Sequence, residues 1–248
     1  MSPNTLSPQT IARRAAAEAA VALVEPGMTV GLGTGDTAAH AIRAIAARQL
    51  SGLRCVATSS RSGILARELG LPLFELDDIA PPTEAGALPP IDLTIDGTDE
   101  VDAQLQLIKG GGGALLFEKL VAQASRRMVV IADEDKVVAR IGDKRALPVE
   151  IVSFGARHTL QRIVSLPMVA SAVLRPSGSG GEPFRTDSGH FIVDASLEPG
   201  SSAIELHHLL KMLLGVVETG LFCHEASLVF IGCQNGTVRT LARPSPKT

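Results

Sequence analysis

The chain has 248 residues, a net charge of −3 and 45% hydrophobic residues, with 3% aromatics and neither Trp nor Tyr. This length accommodates one α/β domain, or one such domain with a smaller companion. Nucleic-acid binding usually requires basic patches and aromatic stacking surfaces, so the composition argues against that function class.

Helical and extended patterns alternate along the first half of the chain. The predicted helices lie at residues 10–24, 37–50, 60–69 and 113–124. The predicted strands lie at residues 28–32, 54–58, 71–76, 91–95, 104–108 and 128–132, and a long Pro-rich loop lies at 77–90. Strands that are apolar throughout and alternate with helices predict an α/β fold with a parallel sheet covered on both faces.

After residue 148 the pattern changes to a smaller α+β arrangement. Helices are predicted at residues 156–164 and 202–214, strands at 169–174 and 190–195, and a flexible hairpin loop at the Gly/Ser stretch 177–181. Residues 226–233 and 237–242 flank Asn235-Gly236, which predicts a β-hairpin. We expect a larger catalytic domain from residues 1–147 and 219–248, and a small α+β domain from residues 148–218.

Neither the cysteines nor the histidines have metal-ligand spacing. Cys55, Cys223 and Cys233 are odd in number and far apart, without a CxxC pair. This favours buried free thiols in a reducing cytosol over a disulfide framework or a zinc site. No segment approaches transmembrane length, and we expect a cytoplasmic protein without a secretory signal that does not bind membranes.

The glycine-rich segment GLGTGDTAAH at residues 31–40 follows a strand and opens a helix. Backbone N–H groups in such a loop can face an anion at the positive end of a helix. The same pattern also occurs in a simple tight turn. A dinucleotide fingerprint would need glycine where Asp36 stands, and a Walker loop would need Gly-Lys-Ser/Thr, so NAD and ATP are rejected.

The segment DLTIDGTDE at residues 92–100 places carboxylates at the end of a predicted central strand. It differs from the phosphatase pattern because Thr94 occupies the position of the nucleophilic aspartate. Open α/β sheets bind ligands at the carboxyl ends of their strands. The segment is therefore either a polar ligand-binding loop or a solvated acidic turn.

Four glycines separate Lys109 from the helix that carries Glu118, in the segment KGGGGALLFE. Helical side chains lean toward the N-terminus, so the Glu118 carboxylate can point back at the glycine loop. Glutamates in first turns are also favoured by the helix dipole alone, and loop lysines are often simply solvated. Together these segments combine acid/base groups with a cation, which indicates an enzyme of small polar molecules: Asp96, Asp99, Glu100, Lys109 and Glu118.

These segments together resemble the A-type ribose-5-phosphate isomerase family over nearly the whole length. The most specific stretches are KGGGGALLFEK and DGTDE. The resemblance implies a Rossmann-like α/β domain with a smaller α+β domain, a homodimer or higher homo-oligomer, and no metal or cofactor. It also implies that the chain interconverts D-ribose 5-phosphate and D-ribulose 5-phosphate through an enediolate, in the non-oxidative pentose phosphate pathway.

The resemblance also implies roles for individual residues. Glu118 would move the proton between C1 and C2, Asp96 would assist ring opening and proton transfer at the hydroxyls, and Lys109 would stabilise the enediolate oxygen. Asp96 and Lys109 would also bind substrate, with Thr34, Gly35, Asp36, Thr37, Gly97, Thr98, Asp99, Gly110, Gly111, Gly112, Lys136 and Arg13. Arg14 stands beside Arg13, where the family often has basic residues, and the resemblance implies a phosphate contact there.

Two positions depart from the family pattern, which usually has serine where this chain has Asp36 and Asp135. Two negative charges about 4 Å apart repel by roughly 4 kcal/mol at an effective dielectric near 20, so an inward Asp36 would oppose phosphate. Three explanations remain open. Asp36 caps the following helix, or Arg13 or Arg14 neutralises it, or the substrate lacks a phosphate there.

Two other functions also remain open at this point. One is an isomerase of the same scaffold that acts on another, unphosphorylated aldose. The other is a non-catalytic sugar-phosphate-binding protein. Retention of Asp96, Lys109 and Glu118 favours catalysis over simple binding.

Overall fold

The computed structural model describes residues 6–79, 89–178 and 181–243. They form two compact units. The first takes in the described parts of Met1–Gly97, Leu120–Val137 and Glu225–Thr248, and the second those of Thr98–Lys119 and Val138–His224. No helix within the described ranges is both long enough and apolar enough to span a membrane.

Helices and strands are numbered in chain order. The helices are α1 (Pro8–Val21), α2 (Asp36–Ala47), α3 (Ser60–Glu68), α4 (Leu115–Gln123), α5 (Ala156–Val164) and α6 (Ala203–Lys211), with 3₁₀ turns at Leu76–Asp78 and Glu134–Lys136. The strands are β1 (Thr29–Leu32), β2 (Arg54–Ala57), β3 (Leu93–Gly97), β4 (Glu100–Val101), β5 (Leu107–Ile108), β6 (Met128–Asp133), β7 (Leu147–Ile151), β8 (Val169–Leu174), β9 (Phe191–Leu197), β10 (Val216–Thr219), β11 (Leu221–Phe222), β12 (Ala226–Gly232) and β13 (Val238–Ala242).

The first unit contains a six-stranded sheet in the order β13-β12-β6-β3-β1-β2. All neighbouring strands are parallel except β12 and β13, which form the predicted antiparallel hairpin. Strands β1, β3 and β6 are buried along their whole length, as expected for the interior of a parallel sheet. The predicted mostly parallel α/β fold is therefore confirmed.

Helices cover both faces of this sheet. Val30 and Leu32 of β1 pack with residues of α1, α2 and α3 in one aliphatic core. Gly31 between them faces the other side, where an added Cβ would lie 2.7 Å from Val121 of α4. Successive residues of a strand point to opposite faces, so α4 covers the face opposite to α1 and α2.

Strand β1 marks the point at which the connectivity of the sheet reverses. The chain passes from β1 to β2 on one side, and then returns to β3 on the other side of β1. In open α/β sheets, the carboxyl ends of strands at such a point flank the ligand crevice. Gly33 and the start of α2 follow β1 here, and Asp96 lies at the end of β3.

The predicted strand at residues 71–76 is wrong. Only Leu73 forms an isolated bridge, to Cys55, and Leu76–Asp78 is a 3₁₀ turn. The bridge uses the carbonyl of Pro72 and the N–H of Phe74. Pro72 has no N–H to extend the pairing, so this apolar run does not become a strand.

The second unit contains an antiparallel sheet in the order β10-β7-β9-β8 and a small sheet in the order β11-β5-β4. Strands β4, β7, β10 and β11 are absent from the sequence-based prediction. The predicted strand at 104–108 shortens to Leu107–Ile108, because Leu105 has a φ of 60° and the Asp102 carboxylate accepts the N–H groups of Gln104 and Gln106.

The compact units divide the chain at other residues than the predicted domains do. Residues 98–119 and 138–147 belong with the second unit, as does the segment 219–224. The partition into residues 1–147 with 219–248, and 148–218, stays a prediction. Parts of the predicted loops at 77–90 and 177–181, namely residues 80–88 and 179–180, lie outside the described residues.

Candidate active site

The predicted site residues fall into two sets, one in each unit. In the second unit, Lys109 follows β5 directly and Glu118 lies in the first turn of α4. The Lys109 Nζ lies 3.4 Å from Glu118 Oε1, and their side chains are only 2% and 5% exposed. The structure therefore brings the predicted base and the predicted cation into direct contact.

The glycine loop between these two residues is a turn that needs glycine at both ends. Gly110 and Gly113 have φ values of 95° and 83°, and the Gly113 N–H donates to the Gly110 carbonyl at 2.9 Å. A Cβ on Gly113 would lie 2.5 Å from the Phe184 ring. The Gly111 N–H donates to Asp99 Oδ2 at 2.7 Å, so the Asp99 carboxylate fixes the loop. Gly111 and Gly112 are exposed.

Arg175, at the end of β8, also holds this loop and is absent from the sequence-based prediction. Its Nη1 donates to the carbonyls of Gly110 and Gly111 at 3.0 and 3.1 Å. Asp194 of β9 binds the same guanidinium at two positions. Nothing in the sequence around Arg175 signals this contact, because it depends on the pairing of β8 with β9.

A second unpredicted group, Lys119, connects α4 to residues 218–222. The buried Lys119 Nζ donates to Glu218 Oε1 and to the carbonyls of Thr219 and Leu221, all at 2.8–2.9 Å. The ammonium groups of Lys119 and Lys109 lie 4.7 and 5.6 Å from the centroid of the Phe222 ring. The residue after Glu118 is thus anchored to a segment that also contacts Lys109.

Electrostatics at Glu218 depend on the same lysine. Burial alone would raise the pKa of Glu218. The ion pair with Lys119, the Thr219 N–H and Lys211 together outweigh burial and hold the pKa of Glu218 below its ordinary value. Glu218 is therefore a charged partner for Lys119 at neutral pH.

The side chains of Glu100 and Thr98 contact backbone groups of the second unit. The buried Glu100 carboxylate accepts three backbone N–H groups, from Gly142, Lys144 and Arg145. The Thr98 hydroxyl lies within hydrogen-bond distance of the Glu100 and Ile108 carbonyls. The interpretation of Glu100 as acid/base equipment is wrong, because both of its oxygens fix the loop at residues 142–145.

In the first unit, the Asp96 carboxylate is packed against the glycine loop after β1. Its Oδ1 accepts the N–H groups of Thr34 and Gly97 at 3.0 and 2.7 Å. A Cβ on Gly33 would lie 2.2 Å from this oxygen, so only glycine permits the approach. Asp96 is fully buried at the carboxyl end of β3.

The same loop leads directly into α2. Gly35 is the N-cap of α2 with a φ of 105°, and Asp36 and Thr37 are the first two helical residues. The Thr34 hydroxyl lies 2.7 Å from that of Thr58 and 2.8 Å from that of Ser59, the N-cap of α3. The loop therefore presents backbone N–H groups at a helix N-terminus, an arrangement suited to anions.

One of the three explanations required the Asp36 side chain to cap α2. The structure shows no such cap. The Asp36 carboxylate instead points to two arginines. Arg61 Nη2 lies 2.8 Å from Asp36 Oδ1, and Arg13 Nη1 lies 3.8 Å from Asp36 Oδ2. Arg14 forms an ion pair with Glu18 at 2.7 Å. The explanation by neutralisation is supported through Arg13, and the closer partner, Arg61, is an unpredicted one.

Lys136 ends the 3₁₀ turn that follows β6, and Asp135 beside it is exposed. Since β1, β3 and β6 are parallel, Lys136 lies at the same edge of the sheet as Asp96 and the loop after β1.

His40 on α2 lies among arginines. Burial lowers its pKa most, and the positive charges of Arg43, Arg13 and Arg14 lower it further.

The cysteines are free, as predicted, but they differ in burial. Cys55 and Cys223 are buried, whereas Cys233 is half-buried, so the expectation of three buried thiols is wrong for Cys233. Burial raises the pKa of Cys55 to about 11. Within the described part of the chain, no group of three His, Cys, Asp or Glu side chains has the arrangement of a metal site.

Comparisons with known proteins point to one family. The family model described as Ribose 5-phosphate isomerase A (phosphoriboisomerase A) matches residues 54–236. Ribose-5-phosphate isomerase A of Chloroflexus aurantiacus is 46% identical over 237 residues, which cover 94% of each chain.

Solved structures give the same relationship. A D-ribose-5-phosphate isomerase in complex with phospho-erythronic acid is 30% identical, with a TM-score of 0.87 over 96% of this chain and 100% of that chain. Ribose 5-phosphate isomerase A of Methanocaldococcus jannaschii is 33% identical, with a TM-score of 0.85 over the same shares of the two chains.

Proposed function

This chain belongs to the ribose 5-phosphate isomerase A family, and we propose that it interconverts D-ribose 5-phosphate and D-ribulose 5-phosphate by proton transfer through an enediolate. The reaction is an intramolecular oxidation and reduction, because C1 is reduced from an aldehyde while C2 is oxidised to a ketone. The observation that carries this proposal is the buried contact between Lys109 and Glu118.

We propose that Glu118 is the general base. Its carboxylate would take the proton from C2 of the open-chain aldose and return it to C1, while the hydroxyl proton moves between the two oxygens. A positioned base contributes typically ~10²–10⁴-fold in rate. The Lys109 ammonium would stabilise the negative charge that develops on the carbonyl oxygen, an effect of order ~3 kcal/mol for one such donor.

We assign Asp96 to ring opening and to proton transfer at the hydroxyls. The loop after β1 would bind the phosphate, because Gly35 places N–H groups at the N-terminus of α2. A solved relative is in complex with phospho-erythronic acid, which supports a phosphorylated ligand. The other proposed substrate-binding residues are Thr34, Asp36, Thr37, Gly97, Thr98, Asp99, Gly110, Gly111, Gly112, Lys136 and Arg13.

We propose that the reaction needs neither metal nor cofactor. The ammonium and the backbone N–H groups supply positive potential where the enediolate and the phosphate would carry charge. No hydride leaves the substrate, so no redox partner is required.

We further propose a cytoplasmic homodimer or higher homo-oligomer. The second unit exposes Phe154, Met212 and Leu214 at 92%, 83% and 89%. The Val152 N–H donates to the Gly215 carbonyl, so the two segments that carry these residues adjoin. Adjoining exposed apolar side chains are typical of a protein contact. Sedimentation of the wild type and of Phe154→Ser would test this, and a wild-type monomer at micromolar concentration would contradict it.

A substrate panel tests the activity. Purified protein is incubated with ribose 5-phosphate, free ribose, arabinose 5-phosphate and glucose 6-phosphate, and ketose formation is followed. In deuterium oxide, the ribulose 5-phosphate formed should carry deuterium at C1. Preference for free ribose would favour the unphosphorylated aldose. Binding of ribose 5-phosphate without exchange or turnover would favour a non-catalytic binding protein.

A further inference from the structure

Four side chains of alternating charge connect the interior of the first unit to the loop after β1. They are Asp133, Arg13, Asp36 and Arg61, in that order. Arg13 Nε lies 3.0 Å from Asp133 Oδ2, and its Nη1 lies 3.8 Å from Asp36 Oδ2. Arg61 Nη2 then lies 2.8 Å from Asp36 Oδ1.

Asp36 is the first residue of α2, so its negative charge lies in the turn at the positive end of the helix dipole. An anionic ligand bound at the N-terminus of α2 would meet that charge. Without neutralisation, a carboxylate about 4 Å from a bound phosphate would weaken binding by roughly a thousandfold. The charge of Asp36 therefore has to be offset for the loop to bind a phosphate.

Arg61 is better placed than Arg13 to do this. Arg13 lies closer to the buried Asp133 than to Asp36, so its positive charge is partly offset by Asp133. Arg61 is the second residue of α3, and the N-terminus of α3 is fixed to the loop through the Ser59 and Thr34 hydroxyls at 2.8 Å. Its position beside Asp36 thus follows from the backbone as well as from the ion pair.

A cavity of about 190 Å³ adjoins this pair and supports the same assignment. Its lining includes Gly33 and Gly35, the two arginines Arg43 and Arg61, and one acidic residue, Glu68. The formal charge of these lining residues is therefore positive on that side of the N-terminus of α2.

We propose that Arg61 is a specificity-determining residue for the phosphate of the substrate, because it holds and neutralises Asp36 at the N-terminus of α2. This inference rests on the proposed function, in which the loop after β1 binds the phosphate. The side chains of Asp36 and Arg61 are 66% and 70% exposed. Such a pair contributes little to folding stability, so variants at either position should fold normally.

Rescue of one variant by a second substitution tests the inference. Arg61→Gln should raise the KM for ribose 5-phosphate by about tenfold or more and change kcat less than about threefold, because one uncompensated charge opposes the phosphate. Asp36→Ser in the Arg61→Gln background should restore the KM to within about threefold of the wild-type value. Arg67→Gln, an exposed arginine on the same helix, is the matched control and should leave the KM unchanged.

Two results would overturn the inference. One is an unchanged KM in Arg61→Gln. The other is a double variant that remains as weak as Arg61→Gln, since Arg61 would then act without Asp36. Binding of inorganic phosphate to the same four proteins, measured by calorimetry, keeps this test separate from the proposed function. If the wild type binds phosphate but does not isomerise ribose 5-phosphate, the proposed function fails while the phosphate affinities still decide the role of Arg61.

Discussion

The Lys109 ammonium lies 3.4 Å from Oε1 of Glu118, and both side chains are almost completely buried. Desolvated charges of opposite sign strongly favour each other's ionised form, whereas an isolated charge at this depth would be unfavourable. The pair also lies next to the Phe222 ring, 5.6 Å from the Lys109 ammonium. The contact keeps a carboxylate base beside the cation that the proposed reaction needs.

Glu118→Gln should lower kcat by at least about 10²-fold, because an amide cannot accept the C2 proton. The amide retains nearly the same shape and one oxygen for Lys109 but removes the counter-charge of its buried ammonium, so the variant should fold with a stability lower by about 3–5 kcal/mol. Ketose formation measures turnover, and calorimetry measures ribose 5-phosphate binding. The exposed Glu198 provides the control Glu198→Gln, which should behave as the wild type. Near-normal turnover of Glu118→Gln would remove this residue from the mechanism.

Lys119→Met should lower kcat by about 10-fold or more with a smaller effect on KM, because Lys119 positions its neighbour Glu118 through three hydrogen bonds. Lys211→Met is the matched control. Lys211 also contacts Glu218, at 2.9 Å, but it is 37% exposed and lies on α6. Equal losses of kcat in the two variants would show that the effect follows Glu218 rather than the position of Glu118.

Glu218→Gln should destabilise the protein at pH 7 by about 1–3 kcal/mol, the range for hydrogen bonds to charged groups. The pKa of Glu218 is below its ordinary value of 4.5 in the folded state, so its stabilising effect is fully present above pH 4.5. The effect is lost as the pH falls through the lowered pKa. Urea unfolding at pH 7 and near pH 3 measures this, and an equal difference at both pH values would contradict it.

Thiol titration should distinguish Cys233 from Cys55. The half-buried Cys233 should react quickly with a disulfide reagent at pH 8, whereas Cys55 should react only on unfolding, because burial raises its pKa to about 11. Cys233→Ser should abolish the fast phase, and Cys55→Ser should leave it unchanged. A fast phase that persists in Cys233→Ser would assign it to another thiol.

The sequence is sufficient to predict the fold class, the family and the direction of Glu118 toward the glycine loop that follows Lys109. Long apolar strands alternating with helices indicate a parallel sheet by themselves. The direction in which helical side chains lean was enough to aim Glu118 toward the glycine loop. The family assignment is confirmed by the family model and by the relatives. The catalytic and binding roles stay predictions.

The contacts around the pair could not be predicted, because they depend on strand pairing between distant segments. Arg175 reaches the glycine loop from β8, and Glu218 reaches Lys119 from β10. Neither residue lies in a motif whose spacing suggests chemistry. The short strands β4, β5 and β11 have two residues each, too few for a periodic pattern.

Asp36 shows how a local rule can mislead. Aspartate is favoured at the N-cap of a helix. Here Gly35 is the N-cap of α2, and Asp36 is the first residue inside the helix. Its closest partner, Arg61, comes from the next helix along the chain. A single sequence does not indicate which of several arginines a surface carboxylate contacts.

The sheet of the first unit joins strands from both ends of the chain, and this has a consequence for biosynthesis. Strands β6 and β12 are hydrogen-bonded neighbours, yet nearly the whole second unit separates them in sequence. Residues of α1 touch β12 so closely that a Cβ on Gly232 would lie 1.8 Å from the Ala12 carbonyl oxygen. On the ribosome, β6 can therefore pair with β12 only after residues 138–224 of the second unit have been translated. We expect nascent chains arrested before residue 226 to expose the β6 edge and to recruit chaperones.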